Sequence, residues 1–416
     1  MKFDDQLARH LRGQFPALAR QVDGAPAVFF DGPAGTQVPQ RVIDAISHYL
    51  TTCNANHGGV FATSVESDAL LAEAHRALAD FLGASDPDTV YFGQNMTSLT
   101  FALSRALSRR WRAGDEILVT RLDHDANVSP WVLAAQDVGA AVKFAEVRRD
   151  DCTLDLDQLR RQLTPRTRLV AVGCASNATG TINPVRQIGE WAHALGATVF
   201  LDAVHFAPHA PIDVAQLGCD FLACSAYKFF GPHLGVLWGR RELLEDLAAY
   251  KVRPAPHELP GKWMSGTQSH EAIAGARAAV DYLADIGRLL QPGAPDRRSA
   301  LVAAMEGIRT YEGELVQRLL AGLREVPWCR IHGITDPARL NERLPTVAIS
   351  HPQVPSIELA RRLAARGIFV WHGNYYALEL TESLGLEPQG MVRIGLVHYN
   401  TTDEVTRLVR ALREIV

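Results

Sequence analysis

Lys228 stands in SAYKFFGPHLGVLWG, directly after an apolar run and before two phenylalanines and a Gly-Pro pair. That is a poor place for a solvated charge. Burial lowers an ammonium pKa, and the neutral amine that results can attack an aldehyde to form a Schiff base. Alone, Lys228 would read better as a surface lysine whose stem lies along apolar neighbours. It has company. VFLDAVH puts Asp202 at the end of a very apolar run upstream. An aspartate there can cap a helix or turn, or it can pair with a protonated pyridine nitrogen. A Schiff-base lysine and an acid facing a pyridinium are what pyridoxal phosphate asks of a protein.

The elements that would position these residues are legible around them. From about residue 88 to 238 the runs DTVYFG, DEILVTRL, AVKFAEV, RLVAVGCAS, ATVFLDAV, DFLACSAYK and GVLWG read as buried strands, separated by segments with helical spacing. This predicts an α/β fold with a mostly parallel sheet covered by helices. Ligands collect at the carboxyl ends of such strands. The polar residues there are Gln94, Asn95 and Thr97; Asp123 and His124; Ser176 and Asn177; Asp202 and His205; Ser225 and Lys228. Near Gly293, PGAPDRRS reads as a loop between helices. Beyond it a helix, the strands LPTVAIS, RGIFVW and MVRIGLV, and a last helix, DEVTRLVRALREI, suggest an α+β domain. Leu7, Leu11, Phe15 and Leu18 predict one amphipathic helix at the start. The expected division is an N-terminal helix in 1–22 lying near the small domain, a large cofactor domain in 23–290, and a small C-terminal domain in 291–416.

The 416 residues are 47% hydrophobic and 21% charged, with a formal charge of −4. Nothing in that balance attracts nucleic acid. No window approaches the ~20 apolar residues of a membrane span, and the first residues lack a secretory apolar stretch. A cytoplasmic enzyme is expected. The cysteines (Cys53, Cys152, Cys174, Cys219, Cys224, Cys329) form no C-x-x-C pair, and the His205/His209 spacing is interrupted by Pro208. No metal site is expected.

The chain resembles the class V aminotransferase family and, within it, the cysteine desulfurase branch. The branch's V-D-x-A-Q and S-G-H-K-x-x-G-P are matched by LDAVH and SAYKFFGP. Its S-N-x-x-G-x-x-N-P-V is met by SNATGTINPV (Ser176 to Val185), and its E-H-x-x-N-x-x-P-W by DHDANVSPW (Asp123 to Trp131). Its R-x-S-x-x-x-Y-N-T-x-x-E is met by RIGLVHYNTTDE (Arg393 to Glu404). Five motifs in register, from FFDGPAGTQVPQRV onward, span almost the whole chain.

The resemblance implies a pyridoxal-phosphate fold-type I subunit, a large αβα domain with a smaller α+β domain, in a homodimer. It makes Lys228 the Schiff-base lysine and proton shuttle and Asp202 the partner of the ring nitrogen. His124 would stack on the ring and Asn177 would bond its phenolic oxygen. Ser225, Tyr227 and the backbone at Asn95, Met96 and Thr97 would hold the phosphate. Arg393 would clamp a substrate carboxylate. Thr267, in MSGT, would reach the neighbouring subunit's phosphate, and His57 stands where the family has an active-site histidine.

The resemblance also breaks. Where the branch carries V-R-T-G-H-H-C, this chain reads VWHGNYYAL: Trp371 replaces an arginine, and Tyr376 stands in place of the sulfur-accepting cysteine. A phenol cannot form a persulfide. His205 replaces a glutamine. It reads either as an acid, base or hydrogen-bonding group on the cofactor's oxygen, or as a histidine packed between strand and helix. Aromatic replacements predict a remodelled pocket with Tyr376 in its wall. The expectation is cleavage of a C–S or other Cβ/Cγ bond of an amino acid without a persulfide cysteine of the chain's own. The alternatives are an aminotransferase or epimerase and, in another class, a non-catalytic binding protein for the cofactor.

Overall fold

The computed structural model describes residues 2–415. Helix α1 (Asp5–Arg12) starts on Asp4, whose side chain accepts from the Leu7 N–H. The single helix expected through Leu18 is broken. The chain turns at Gly13, and Pro16 opens a separate 3-10 turn, Pro16–Ala19, followed by a short strand at Gln21–Val22. Proline has no N–H to continue the helical ladder. Leu7, Leu11, Phe15 and Leu18 are all buried nonetheless. Apolar spacing marked the right face and missed the break.

The seven apolar runs form one seven-stranded sheet: β1 (Val90–Gly93), β2 (Glu116–Thr120), β3 (Ala141–Ala145), β4 (Thr167–Gly173), β5 (Thr198–Asp202), β6 (Phe221–Ser225) and β7 (Gly235–Gly239). The spatial order is β1-β7-β6-β5-β4-β2-β3. Only β7 runs antiparallel to its neighbours. Every residue of β2, β6 and β7 is buried. Strands covered on both faces need continuous apolar runs and not alternation, which is how these runs read. All but β7 point the same way, so Asn95, His124, Asn177, Asp202 and Lys228 emerge at one edge.

Helix α2 (Met96–Ser108) follows β1, and the long helices α3 (His270–Leu290) and α4 (Arg297–Arg324) pack on each other across the PGAPDRRS loop. A second sheet follows: β8 (Arg330–His332), β9 (Thr346–Ser350), β10 (Trp371–Gly373) and β11 (Met391–Gly395), in the order β8-β9-β11-β10 and antiparallel throughout. Helix α5 (Thr402–Arg413) begins with a capping box between Thr401 and Glu404. α1 is fastened to that start: Asp5 accepts from the Thr402 N–H (2.8 Å), and Arg9 and Arg12 pair with Asp403 and Glu404. The segment after α1 is tied to this half too: Val28–Phe29 forms a separate parallel pair with Ile368–Phe369, and Asp31 bridges Gly395 of β11. This leads residues 33 and 34 to the open edge of the large sheet. No described helix is long and apolar enough to cross a membrane.

Candidate active site

A cavity of about 840 Å³ opens where the carboxyl ends of the large sheet face Trp371 and Arg393 of the second sheet. Lys228 lies in a single 3-10 turn directly after β6. Its Nζ donates to the carbonyls of Pro33 (2.5 Å) and Ala34 (3.1 Å) and lies 4.8 Å from the Tyr227 ring centroid. Burial, and then the Arg393 charge, bring its pKa down to about 7, with Asp202 pulling the other way. A large fraction of the amine is therefore neutral, and nucleophilic, near pH 7.

Asp202 ends β5. One carboxylate oxygen accepts from the Val204 N–H (2.8 Å), its sole hydrogen bond among the described residues. Burial raises its pKa to about 6, against that bond and the Lys228 charge. Asp123 is seated on Gly173: both its oxygens accept from the Gly173 N–H (2.9 and 3.1 Å), and Asn127 Nδ2 donates to one of them. Asn127 in turn accepts from the Trp131 indole. Burial, then the Asp202 charge, raise the Asp123 pKa to about 8. Burial thus pushes both carboxyls toward the neutral form, and the Asp202 charge pushes Asp123 further. The sequence placed Asp123 at a strand end and in a motif; its buried proximity to Asp202 had no sequence signal.

His124 follows Asp123. Its Nδ1 accepts from the Ala126 N–H (3.0 Å), and burial, Lys228 and Arg393 lower its pKa to about 3. It is a neutral imidazole, suited to stacking against a ring. Tyr376 already stacks on it at 5.4 Å, with 28° between the planes.

At the far end of the cavity α2 begins. Asn95 caps it with its side chain, in a box shared with Ser98, and Met96 N–H donates to Ser225 Oγ at 3.0 Å. The Thr97 N–H is left without an intrahelical acceptor, at the positive end of the helix dipole. Gly235 of β7 makes this approach possible, because a Cβ there would come within 2.5 Å of the Asn95 backbone. Ser225 and Tyr227 complete this end of the wall.

Arg393, in β11, is buried and makes no salt bridge among the described residues, although the buried Asp31 carboxylate acts on it from a longer distance. One Nη donates to the Asn177 carbonyl (2.9 Å), and the Tyr375 ring covers its guanidinium at 4.4 Å. Burial lowers its pKa to about 10, so it stays charged at neutral pH. Asn177 Nδ2 donates to the Tyr375 carbonyl (3.0 Å). Tyr375 and Tyr376 sit side by side in the left-handed region, at φ 55° and 60°. Such strain costs roughly 1–3 kcal/mol per residue and persists where packing enforces it. Tyr375 belongs to the bulky set expected to remodel the pocket, together with Trp371, His372, Asn374 and Tyr376; its cover over Arg393 had no sequence signal.

Four buried polar atoms of residues in this wall lack any hydrogen-bond partner: Asn177 Oδ1, His205 Nε2, Arg393 Nε and the Tyr375 hydroxyl. Buried orphans of this kind call for a ligand. His205 packs edge-on against His209 at 5.4 Å, and burial keeps its pKa well below the usual imidazole value. It is both a packed histidine and part of the cavity wall.

A family model described as Aminotransferase class-V matches residues 28–291 and 299–408. The chain belongs to the class-V aminotransferase family. A probable cysteine desulfurase of Mycolicibacterium paratuberculosis is 32% identical over 420 residues, covering 97% of this chain but 58% of that longer relative. A cysteine desulfurase of Pectobacterium atrosepticum is 30% identical over 420 residues, covering 97% of both. Among solved structures, the apo cysteine desulfurase of Thermococcus onnurineus superposes with a TM-score of 0.87 at 26% identity, covering 98% of this chain and 97% of that one. The Escherichia coli cysteine desulfurase CsdA gives 0.82 at 28% identity, covering 98% of each.

This class-V chain is thus a pyridoxal-phosphate-dependent enzyme of fold type I, and its cavity suits the group. It offers a reactive lysine, a carboxylate with one uncommitted oxygen, a neutral imidazole face, unpartnered polar atoms and a helix start for the phosphate. Two expected site residues lie elsewhere in the subunit. Thr267 is exposed and outside the cavity. His57 is exposed too, its ring 6.2 Å from that of His270, in a separate small pocket with Gly266 and Gln268. No cysteine lines the active-site cavity: five of the six are buried elsewhere, and Cys329 is half-buried.

Proposed function

We propose that this enzyme cleaves the Cβ–S bond of an amino acid, with Lys228 holding the cofactor and no cysteine of its own accepting the sulfur. The observation that carries this reading is the free, buried Arg393 guanidinium in the same cavity as the Lys228 amine, with no thiol in the walls. A planar cation with an uncommitted Nε suits an α-carboxylate, which fixes the substrate amine toward Lys228.

When bound, pyridoxal phosphate supplies an electron-withdrawing ring that accommodates the electron pair of a broken substrate bond. Asp202 would hold the ring nitrogen in its protonated state through its free oxygen, and His124 would cover one face. The Thr97 N–H, Ser225 and Tyr227 would hold the phosphate. Lys228 would bind the cofactor and, once displaced by the substrate amine, take the Cα proton on Nζ. With a pKa near 7 it can accept that proton and return it at neutral pH. Asn177 would fix the cofactor's phenolic oxygen, with His205 beside it. Tyr376 would close the substrate side of the cavity where a mobile thiol would otherwise stand.

We further infer that the enzyme works as a homodimer in which Thr267 and His57 serve the cavity of a second copy. Both are exposed and remote from their own cavity. The neighbouring surface carries Val60, Phe61 and Val65 with more than half of each side exposed, at 101%, 58% and 54%, an apolar run of the kind subunit contacts cover.

Incubation with cysteine and with S-substituted cysteines, followed by identification of the carbon product, tests the reaction. Pyruvate with ammonia is the expected outcome. Alanine would mean that sulfur passes to an external thiol, with the C–S bond still the one broken. A keto acid or a racemised amino acid with its sulfur retained would overturn the reading. Arg393→Lys, which keeps the charge and loses the fork, should raise KM at least about tenfold for amino acids. Amines lacking the carboxylate should be unaffected. Equal effects on both would remove Arg393 as the carboxylate site.

A further inference from the structure

Trp371 and Arg393 are directly opposed in the antiparallel pair of β10 and β11. Residues paired in this way present their side chains on one face, with Cβ atoms about 5 Å apart. A carboxylate seated on Arg393 therefore has the Trp371 indole beside it. Tyr375 covers the same guanidinium, and Tyr376 stacks on His124 across the cavity mouth. These three aromatic residues line the active-site cavity and also a second groove of about 580 Å³ beyond it. Cavity and groove thus share an aromatic wall.

The groove is built from Ile357, His372, Pro388, Gln389 and neighbours, and none of its lining residues is aspartate, glutamate, lysine or arginine. Trp371 is 49% exposed, Tyr376 72% and Ile357 47%. Large flat faces left open to water beside a ligand cavity gain most by stacking on a ligand. A charged group would find no permanent counter-charge there, so the groove favours a neutral group.

We propose that this groove is the substrate's side-chain subsite and takes a long, uncharged side chain that ends in a flat aromatic group. A substrate anchored by its carboxylate at Arg393 and its amine near Lys228 would pass its side chain between Trp371 and Tyr376 and lay the terminal ring in the groove. This rests on the assignment of Lys228 and Arg393 above and adds the substrate class.

The test titrates the cofactor-loaded enzyme with S-benzyl-L-cysteine and S-methyl-L-cysteine, following the visible absorption band and tryptophan fluorescence. The benzyl compound should bind at least about tenfold more tightly and quench fluorescence. The preference should fall below about threefold in Trp371→Ala. It should fall likewise in Ile357→Asp, which puts a charge in the groove from an exposed position that folding tolerates. The fluorescence response should vanish in Trp371→Ala. Equal affinity for the two compounds in the unmodified enzyme, or a preference that survives both substitutions, overturns the subsite and leaves the Lys228 and Arg393 assignment standing. If neither compound moves the band while cysteine does, the subsite is also wrong. If no amino acid moves it, the amino-acid site itself fails and the subsite with it.

Discussion

Lys228→Ala is expected to lower turnover at least about a thousandfold and to end covalent capture of the cofactor. Borohydride treatment of the unmodified enzyme should add the mass of reduced pyridoxal phosphate to the peptide that contains Lys228, and the variant should gain none. The size of the effect follows from how much rests on one nitrogen. Lys228 is the one lysine in the cavity wall, and its pKa of about 7 suits both attack on an aldehyde and proton transfer. Burial produces that value, so no other lysine can inherit it by proximity alone. A primary amine such as methylamine should restore part of the proton-transfer step. Full turnover in the variant, or labelling at another lysine, would end the assignment.

The strands that carry the site were legible because a doubly covered sheet demands uninterrupted apolar runs, and each run is followed by the polar residue that its direction delivers to one edge. Lys228, Asp202, His124 and Asn177 could be found that way. The break in the first helix was harder, since Leu7 to Leu18 keep a helical rhythm across Pro16 and still reach the core. The grip of Pro33 and Ala34 on Lys228 had no sequence signal, because carbonyl oxygens are common to all residues. The role of Tyr375 depends on a left-handed backbone and on Arg393, far away in sequence. The spending of Met96 N–H on Ser225 is likewise a product of tertiary approach, which the missing side chain of Gly235 permits.

Asp202→Asn is expected to move stability and activity in opposite directions. In the folded protein the Asp202 pKa rises from 3.8 to about 6, and that of Asp123 from 3.8 to about 8. Between about pH 4 and 8 the folded apoprotein therefore binds more protons than the unfolded chain. Stability falls as pH rises through that window. Removing the Asp202 carboxyl removes its own share of that fall and relieves the repulsion that raises Asp123. The apo variant should melt a few degrees higher than the unmodified apoprotein at pH 8 and nearly the same at pH 4. Turnover should drop by a hundredfold or more, because an amide cannot keep the ring nitrogen protonated. If Asp202 faces the ring nitrogen as proposed, cofactor binding should raise the melting temperature of the unmodified protein more than that of the variant. An apo variant less stable at pH 8, or one with near-normal turnover, would show that Asp202 serves the fold and not the ring.

The two carbonyls that hold Lys228 have a meaning for ligand traffic. Pro33 and Ala34 converge on a single nitrogen, and a pair of oxygens so arranged is a cradle for any primary ammonium. In the resting chain the protein's own side chain fills it. Were Lys228 committed to the cofactor as proposed, these two oxygens would be released beside it, open to accept from the ammonium of an incoming substrate. The pose of the free lysine would then mark where a substrate ammonium can be held. Because residues 33 and 34 follow the segment that pairs with Ile368–Phe369 and bridges Gly395, the cradle is anchored to the second half of the molecule while the lysine it holds belongs to the first.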